Sequence, residues 1–202
     1  MKITWYGHAC FALESADGRV VFDPYAPGKV PGWKLPELEA ELVLCSHGHT
    51  DHSWAEGVML SGRPFTGSVT QIPSFHDDRG GALRGENTIS VVEAEDLRIA
   101  HMGDIGCMLT AEQLSALGRV DLMMIPVGGH YTVDAREAWE IVQAVKPGIV
   151  IPMHFRGRGF GFPVIGKVEP FLKFAGNVKE IEGMSYTVDL ADAPATIVFS
   201  AR

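Results

Sequence analysis

One α/β sandwich spanning residues 1–202 is the fold class this sequence predicts, and three observations lead to it. Short β-prone runs separated by turn residues fill the first half. Strand-like and helix-like segments alternate through the second half. No low-complexity segment or linker divides the two, and each half alone is too small to close a good core.

The first quarter reads as β. Ile3-Thr4-Trp5-Tyr6, Cys10-Phe11-Ala12-Leu13 and Val20-Val21-Phe22 are β-prone runs punctuated by Gly and Asp. Residues 24–36 are rich in proline and glycine and read as an irregular loop. Glu41-Leu42-Val43-Leu44-Cys45-Ser46 has the pattern of a buried strand and ends in a histidine-rich turn. A short helix is expected over 53–60, and strands over 69–75, 88–94 and 97–102.

In the second half, Thr110 can cap a helix over 111–117, with Glu112 in its first turn. Leu122-Met123-Met124-Ile125 is a strand. Asp134 can cap a helix over 135–145, whose Ala138, Ile141, Val142 and Val145 share one face. Pro147-Gly148 stops that helix before the strand Ile149-Val150-Ile151. A helix over 167–175 and short strands complete the chain.

Composition narrows the function classes. The 46% hydrophobic and 21% charged fractions are those of an ordinary folded protein. The net charge is −8, from 25 acidic and 17 basic residues, which disfavours a nucleic-acid partner. No apolar run approaches the length of a membrane span, and the N-terminal residues lack a signal-peptide pattern, so no membrane partner and a cytoplasmic location are expected. The three cysteines, Cys10, Cys45 and Cys107, are widely spaced and imply no disulfide framework. The surface pattern leaves a homo-oligomer open.

The chemistry concentrates at Ser46-His47-Gly48-His49-Thr50-Asp51-His52. Alternate residues on an extended chain share a face, so His47 and His49 can meet one ion. Asp51 and His52 lie just beyond, where a turn can aim them at a neighbouring ion. Imidazole and carboxylate together suit zinc, manganese or iron. A solvated histidine-rich turn is the plainer reading, but donor density directly after an apolar strand outweighs it. His76, Asp104 and His154 each follow a strand-like run as well. Donors from four strand ends are thereby offered to one region, the edge where sites form in open α/β sheets.

His47-Gly48-His49-Thr50-Asp51-His52 resembles the HxHxDH signature of the metallo-β-lactamase superfamily, and His76, Asp104 and His154 follow in that superfamily's order. Gly7-His8-Ala9, Phe22-Asp23-Pro24 and Pro126-Val127-Gly128-Gly129-His130-Tyr131-Thr132 are more specifically similar to its small metal-dependent hydrolases related to ascorbate-phosphate lactonases. The resemblance covers nearly the whole chain. It implies a four-layer αββα sandwich with metals at one edge of the two sheets. It implies one ion on His47, His49 and His76, another on Asp51, His52 and His154, and Asp104 bridging them. It further implies two divalent ions, zinc first with manganese or iron acceptable, and a metal-activated water as nucleophile. The chain is short between His52 and His76, where larger relatives carry lid or recognition elements.

The function expected is hydrolysis of a small anionic ester, lactone or phosphoester, with Asp51, Asp104 and His130 as catalytic residues. His130 follows Gly128-Gly129 at a strand end and can hold a proton for the leaving group. His8, Asp23 and Tyr131 are candidates for substrate contact or for orienting a ligand. Arg156 and Arg158 offer guanidinium groups for an anionic substrate. His101 reads as structural. The alternative is a mononuclear iron oxidoreductase on the same fold, similar to sulfur dioxygenases. Flavodiiron relatives carry a glutamate where this chain has His49 and need a flavin domain for which the chain has no room. A non-catalytic scaffold is disfavoured because the ligand set is whole.

Overall fold

In the computed structural model, residues 1–200 are described, and they form two large β-sheets with a shared core. The strands of the first half are β1 (Lys2–Trp5), β2 (Phe11–Ser15), β3 (Gly18–Phe22), β4 (Leu38–Ala40), β5 (Leu42–Leu44), β6 (Val58–Leu60), β7 (Ser68–Phe75), β8 (Glu86–Ala94) and β9 (Leu97–His101). The second half contributes α1 (Ala111–Leu117), β10 (Leu122–Pro126), α2 (Ala135–Val145), β11 (Ile149–Met153), α3 (Glu169–Leu172), β12 (Val178–Glu182), β13 (Ser185–Thr187) and β14 (Ala195–Ser200). The first sheet runs β13-β1-β2-β3-β5, and the second runs β12-β14-β11-β10-β9-β8-β7.

Alternation explains the first sheet. Phe11 and Leu13 of β2, with Val20 and Phe22 of β3, enter the main core between the sheets. Ala12 and Val21 face the other way, into a smaller cluster with Cys10, Tyr25, Val30, Leu38, Ala40 and Val58. That second face is covered by the 24–36 loop and the two-stranded β4–β6 sheet. The second sheet is parallel at its centre. Every residue of β10 and β11 is buried, which is why both read as unbroken apolar runs. Helix α2 makes the crossover between them. Its N-terminus is closed by a capping box of Asp134 with Glu137, and α1 is closed the same way by Thr110 with Gln113. Such a cap contributes about 1 kcal/mol.

Two expected helices differ. Residues 53–60 hold only a short 3₁₀ turn, Ala55–Gly57, followed by β6. Val58, Met59 and Leu60 pair in parallel with Leu38, Glu39 and Ala40, a long-range partner that local propensity does not reveal. The helix expected over 167–175 shrinks to the single turn α3, with Pro170 in its opening positions. The three cysteines are free. No helix among the described residues is long and apolar enough to cross a membrane.

Candidate metal centre

The site forms where strand ends of both sheets meet. His8 follows β1, Asp23 follows β3, and residues 46–52 follow β5. His76 follows β7, Asp104 lies past β9, and His154 follows β11. Several of these positions turn with positive φ: His8 at 55°, Asp23 at 43° and His154 at 53°. Gly103, at φ 58°, precedes Asp104, and a Cβ there would lie 2.3 Å from Asn87 Oδ1 and 2.5 Å from Ser46 Cβ. Only glycine permits that turn at this closeness. Asn87 Oδ1 then accepts the Asp104 amide at 2.8 Å, which fixes the carboxylate's base.

Three donor groups meet the spacing a metal ion requires: His47 with His49 and His76, His47 with His52 and Asp104, and His8 with His52 and His154. Within each, the ligand atoms lie within 4.8 Å of one another. Asp104 Oδ2 stands 3.3 Å from His52 Nε2, 3.4 Å from His76 Nε2 and 3.2 Å from His154 Nε2. Asp51 Oδ2 stands 3.7 Å from His52 Nε2. His47 Nε2, His52 Nε2 and Asp104 Oδ1 are buried without any hydrogen-bond partner. Unpaired buried polar atoms converging on one point are costly, and a cation supplies what the protein leaves missing. The donor set therefore fits a metal.

A hydrogen-bond chain orients two of the imidazoles. Ser46 donates its N–H to Asp23 Oδ1 (2.7 Å) and its hydroxyl to Asp23 Oδ2 (2.6 Å). The His52 Nδ1–H donates to Asp23 Oδ2 (2.8 Å), which leaves Nε2 with a free lone pair. With the Ser46 proton committed to Asp23, Ser46 Oγ accepts from His47 Nδ1 (2.9 Å), and His47 Nε2 is freed likewise. His101 is buried and braces the surroundings. Its Nε2–H donates to the Ala9 carbonyl (2.9 Å), and its Nδ1 accepts the Gly103 N–H (3.2 Å).

Electrostatics favours lone pairs over protons at several donors. Burial and the neighbouring His52 bring His47 down to about 4. Burial and His154 bring His8 down to about 3. His52 goes the other way: burial opposes its charge, but Asp104 and Asp23 outweigh burial and raise it. Burial also opposes the charge of Asp104, yet His154 and His52 hold it well below the usual carboxylate range.

The donors open onto a cavity of about 390 Å³ lined by Lys29, His49, Thr50, Asp51, His76, Arg84, Asp104, Tyr131, His154 and Phe162. A larger open groove at Asp17, Glu93 and Arg119 touches none of the metal donors. Three candidate residues are not among those that line this cavity. Arg156 does not line it; its Nε donates to the Ile165 carbonyl at 2.7 Å and ties down its own loop. Arg158 is exposed and lies outside it. His130 is exposed, its ring rests against Tyr131 at 4.5 Å between centroids, and it too lies outside. The basic residues that do line it, Lys29 and Arg84, come from loops without a sequence motif. Arg84 is presented by a loop folded around Asp77, whose carboxylate accepts four amides, those of Arg79, Gly81, Leu83 and Arg84. Arg84 Nη2 donates to the His130 carbonyl (3.0 Å), and its guanidinium lies 5.7 Å from the centre of the Tyr131 ring.

The profile of the β-lactamase superfamily domain matches residues 2–154. The chain belongs to this superfamily. It is 30% identical to a UPF0173 metal-dependent hydrolase of Archaeoglobus fulgidus, over 83% of this chain and 87% of that protein, which places it among metal-dependent hydrolases. It is 29% identical to a protein of the same description from Thermoplasma acidophilum, over 77% of this chain and 83% of the relative. A crystal structure from Thermotoga maritima, provisionally named a Zn-dependent hydrolase of the metallo-β-lactamase superfamily, superposes with a TM-score of 0.76 at 28% identity, covering 98% of each chain. The metallo-β-lactamase fold thus matches the architecture expected from the resemblance. The layer outside the first sheet is built here by the 24–36 loop and the small β4–β6 sheet.

Proposed function

We propose that this metal-dependent hydrolase is dinuclear and cleaves a small anionic ester, lactone or phosphoester. The observation that carries the reading is the position of Asp104 Oδ2, within 3.2–3.4 Å of His52, His76 and His154. His76 belongs to one histidine set, and His52 and His154 to the other. His47, His49 and His76 would hold one ion, Asp51, His52 and His154 the second, and Asp104 both. Zinc is the first choice, and manganese or iron suits the same donors. Bound there, two divalent ions supply a water acidified toward neutrality and a Lewis acid for the substrate's developing negative oxygen.

The chain's own groups do the rest. Asp23 and Ser46 hold His52 and His47 in the tautomers that keep Nε2 free. Asp51, half-exposed and lining the cavity, faces the space where a nucleophilic water must stand. Lys29 and Arg84 at the cavity wall favour an anionic substrate, with Arg84 pre-positioned by its bond to the His130 carbonyl. Tyr131 and Phe162 bound the remaining wall. A volume of about 390 Å³ suits a small molecule. We read the chain as one domain over 1–202 acting in the cytoplasm.

The test is to strip the protein with chelator, reload it with zinc or manganese, and assay phosphodiesters and lactones. Hydrolysis that rises as the second equivalent binds supports the reading. One iron per chain with oxygen uptake and no hydrolysis overturns it.

A further inference from the structure

His8 is fully buried, and neither of its ring nitrogens meets a hydrogen-bond partner. A buried imidazole left unpaired costs roughly 1–3 kcal/mol. The backbone nonetheless holds it rigidly. Its carbonyl accepts the Trp5 indole N–H (2.9 Å) and the His154 amide (3.2 Å). His8 adopts φ 55°, and Gly7 before it, at φ 98°, lies so close to the Trp33 ring that a Cβ would meet it at 2.3 Å. A strained turn that aims an unpaired side chain inward implies a partner from outside the polypeptide.

The ring is aimed at the second histidine set. Its centroid lies 4.0 Å from that of His154 and 5.0 Å from that of His52. One ligand atom each from His8, His52 and His154 falls within 4.8 Å of the others. Asp51 Oδ2 stands 3.5 Å from His8 Nε2 and 3.7 Å from His52 Nε2, so the same carboxylate faces both rings.

We infer that His8 is itself a ligand of the second ion, through Nε2, alongside Asp51, His52 and His154. The inference rests on the metal-centre reading above and adds to it. With the bridging Asp104, the second site then offers five protein donors, and the first offers four. Five donors suit a five- or six-coordinate ion, as manganese or iron(II) adopts, better than a four-coordinate zinc. The competing role is a hydrogen bond from His8 Nε2 that merely orients Asp51, 3.5 Å away; either role leaves Nδ1 unpaired, and the two differ in whether Nε2 meets the ion.

The experiment is NMR of the full chain with nitrogen-labelled histidine, loaded with isotope-enriched cadmium. A direct cadmium–nitrogen coupling at His8, assigned by its loss in His8→Asn, is the expected result. Asparagine tolerates the left-handed backbone and cannot reach as far as Nε2. Couplings at His52 and His154 without one at His8 overturn the inference and leave the metal centre standing. No coupling at any of the site's histidines overturns both. Should His8→Asn not fold, sequential backbone correlations of the wild-type chain assign the His8 signal instead, and the same outcomes apply. Native mass spectrometry adds a second readout. His8→Asn should lose one of two ions at a concentration where the wild-type chain holds both, and full retention of both would contradict ligation.

Discussion

The two halves of the metal centre are built differently. His52 and His154 are buried, and His52 is braced by Asp23 and Ser46. Across Asp104, His49 is exposed and lines the cavity, and His47 is half-buried. The first set runs from exposed His49 to buried His76, and in the second set buried His154 and half-buried Asp51 also reach the cavity, so the contrast rests on His52 against His49. Metal affinity follows the rigidity and desolvation of the ligands, so the buried half should hold its ion more firmly. The open half should exchange its ion and admit substrate.

The largest effect should come from Asp104, whose Oδ2 lies within 3.2–3.4 Å of His52, His76 and His154 and which the proposal has both ions share. Asp104→Ala should abolish hydrolysis and lower occupancy at both positions, measured by elemental analysis after dialysis. Full occupancy by two ions in that variant would break the picture of a shared carboxylate.

Asp23 sharpens the comparison because it binds His52 of the buried half directly and reaches His47 of the open half only through Ser46. Asp23→Asn puts an amide N–H where His52 Nδ1 now donates, which favours the opposite tautomer and protonates the nitrogen meant for metal. Affinity for the second ion should fall by roughly 10–100-fold, and the first ion, reached only through Ser46, should weaken less. Competition titrations against a chelator would separate the two, and equal weakening of both ions would contradict the division.

The clustered donors were legible in the sequence, and of the cavity wall Tyr131 was legible while Lys29, Arg84 and Phe162 were not. His47, His49, Asp51 and His52 announce themselves because charge density after an apolar strand needs a reason. His76, Asp104 and His154 are legible because each ends a strand-like run, and the structure brings them together with the first four. The fold was legible for the same cause: periodicity survives in Phe11, Leu13, Val20 and Phe22 and in the buried runs of β10 and β11. Arg84 was invisible because its position depends on Asp77 gathering four amides, a tertiary event without a sequence pattern. Arg156 is not on the wall, and its Nε donates to the Ile165 carbonyl within its own loop. The 53–60 segment misled because Leu38–Ala40, its strand partner, is distant in the chain.

A smaller effect tests the wall itself. Arg84→Ala should raise KM for an anionic substrate about tenfold, the loss of one charge-assisted hydrogen bond, with metal content unchanged. An unchanged KM would remove Arg84 from substrate recognition. His130→Ala, by contrast, should keep both metals and most of the turnover, since its ring lies outside the cavity. A turnover loss beyond tenfold would return His130 to the chemistry.

The smallest effect lies far from both halves. The Arg19 amide, the Ser61 hydroxyl and the Arg63 guanidinium hold Glu41 down at about 2. A carboxylate whose folded pKa is depressed stabilises the fold above its unfolded value, near 4.3, and loses that contribution as pH falls toward 2. Glu41→Gln should therefore lower Tm at pH 7, and the difference should close in acid. Metal binding should not change. A Tm difference that persists at the lowest pH would mean the effect is packing rather than charge.

The central claim is that two unequal ions flank Asp104. Anomalous diffraction from crystals loaded with zinc or manganese tests it most directly. Two peaks are expected on either side of Asp104, with the peak at His47, His49 and His76 fading first as chelator is titrated in. A single peak at full loading would contradict it.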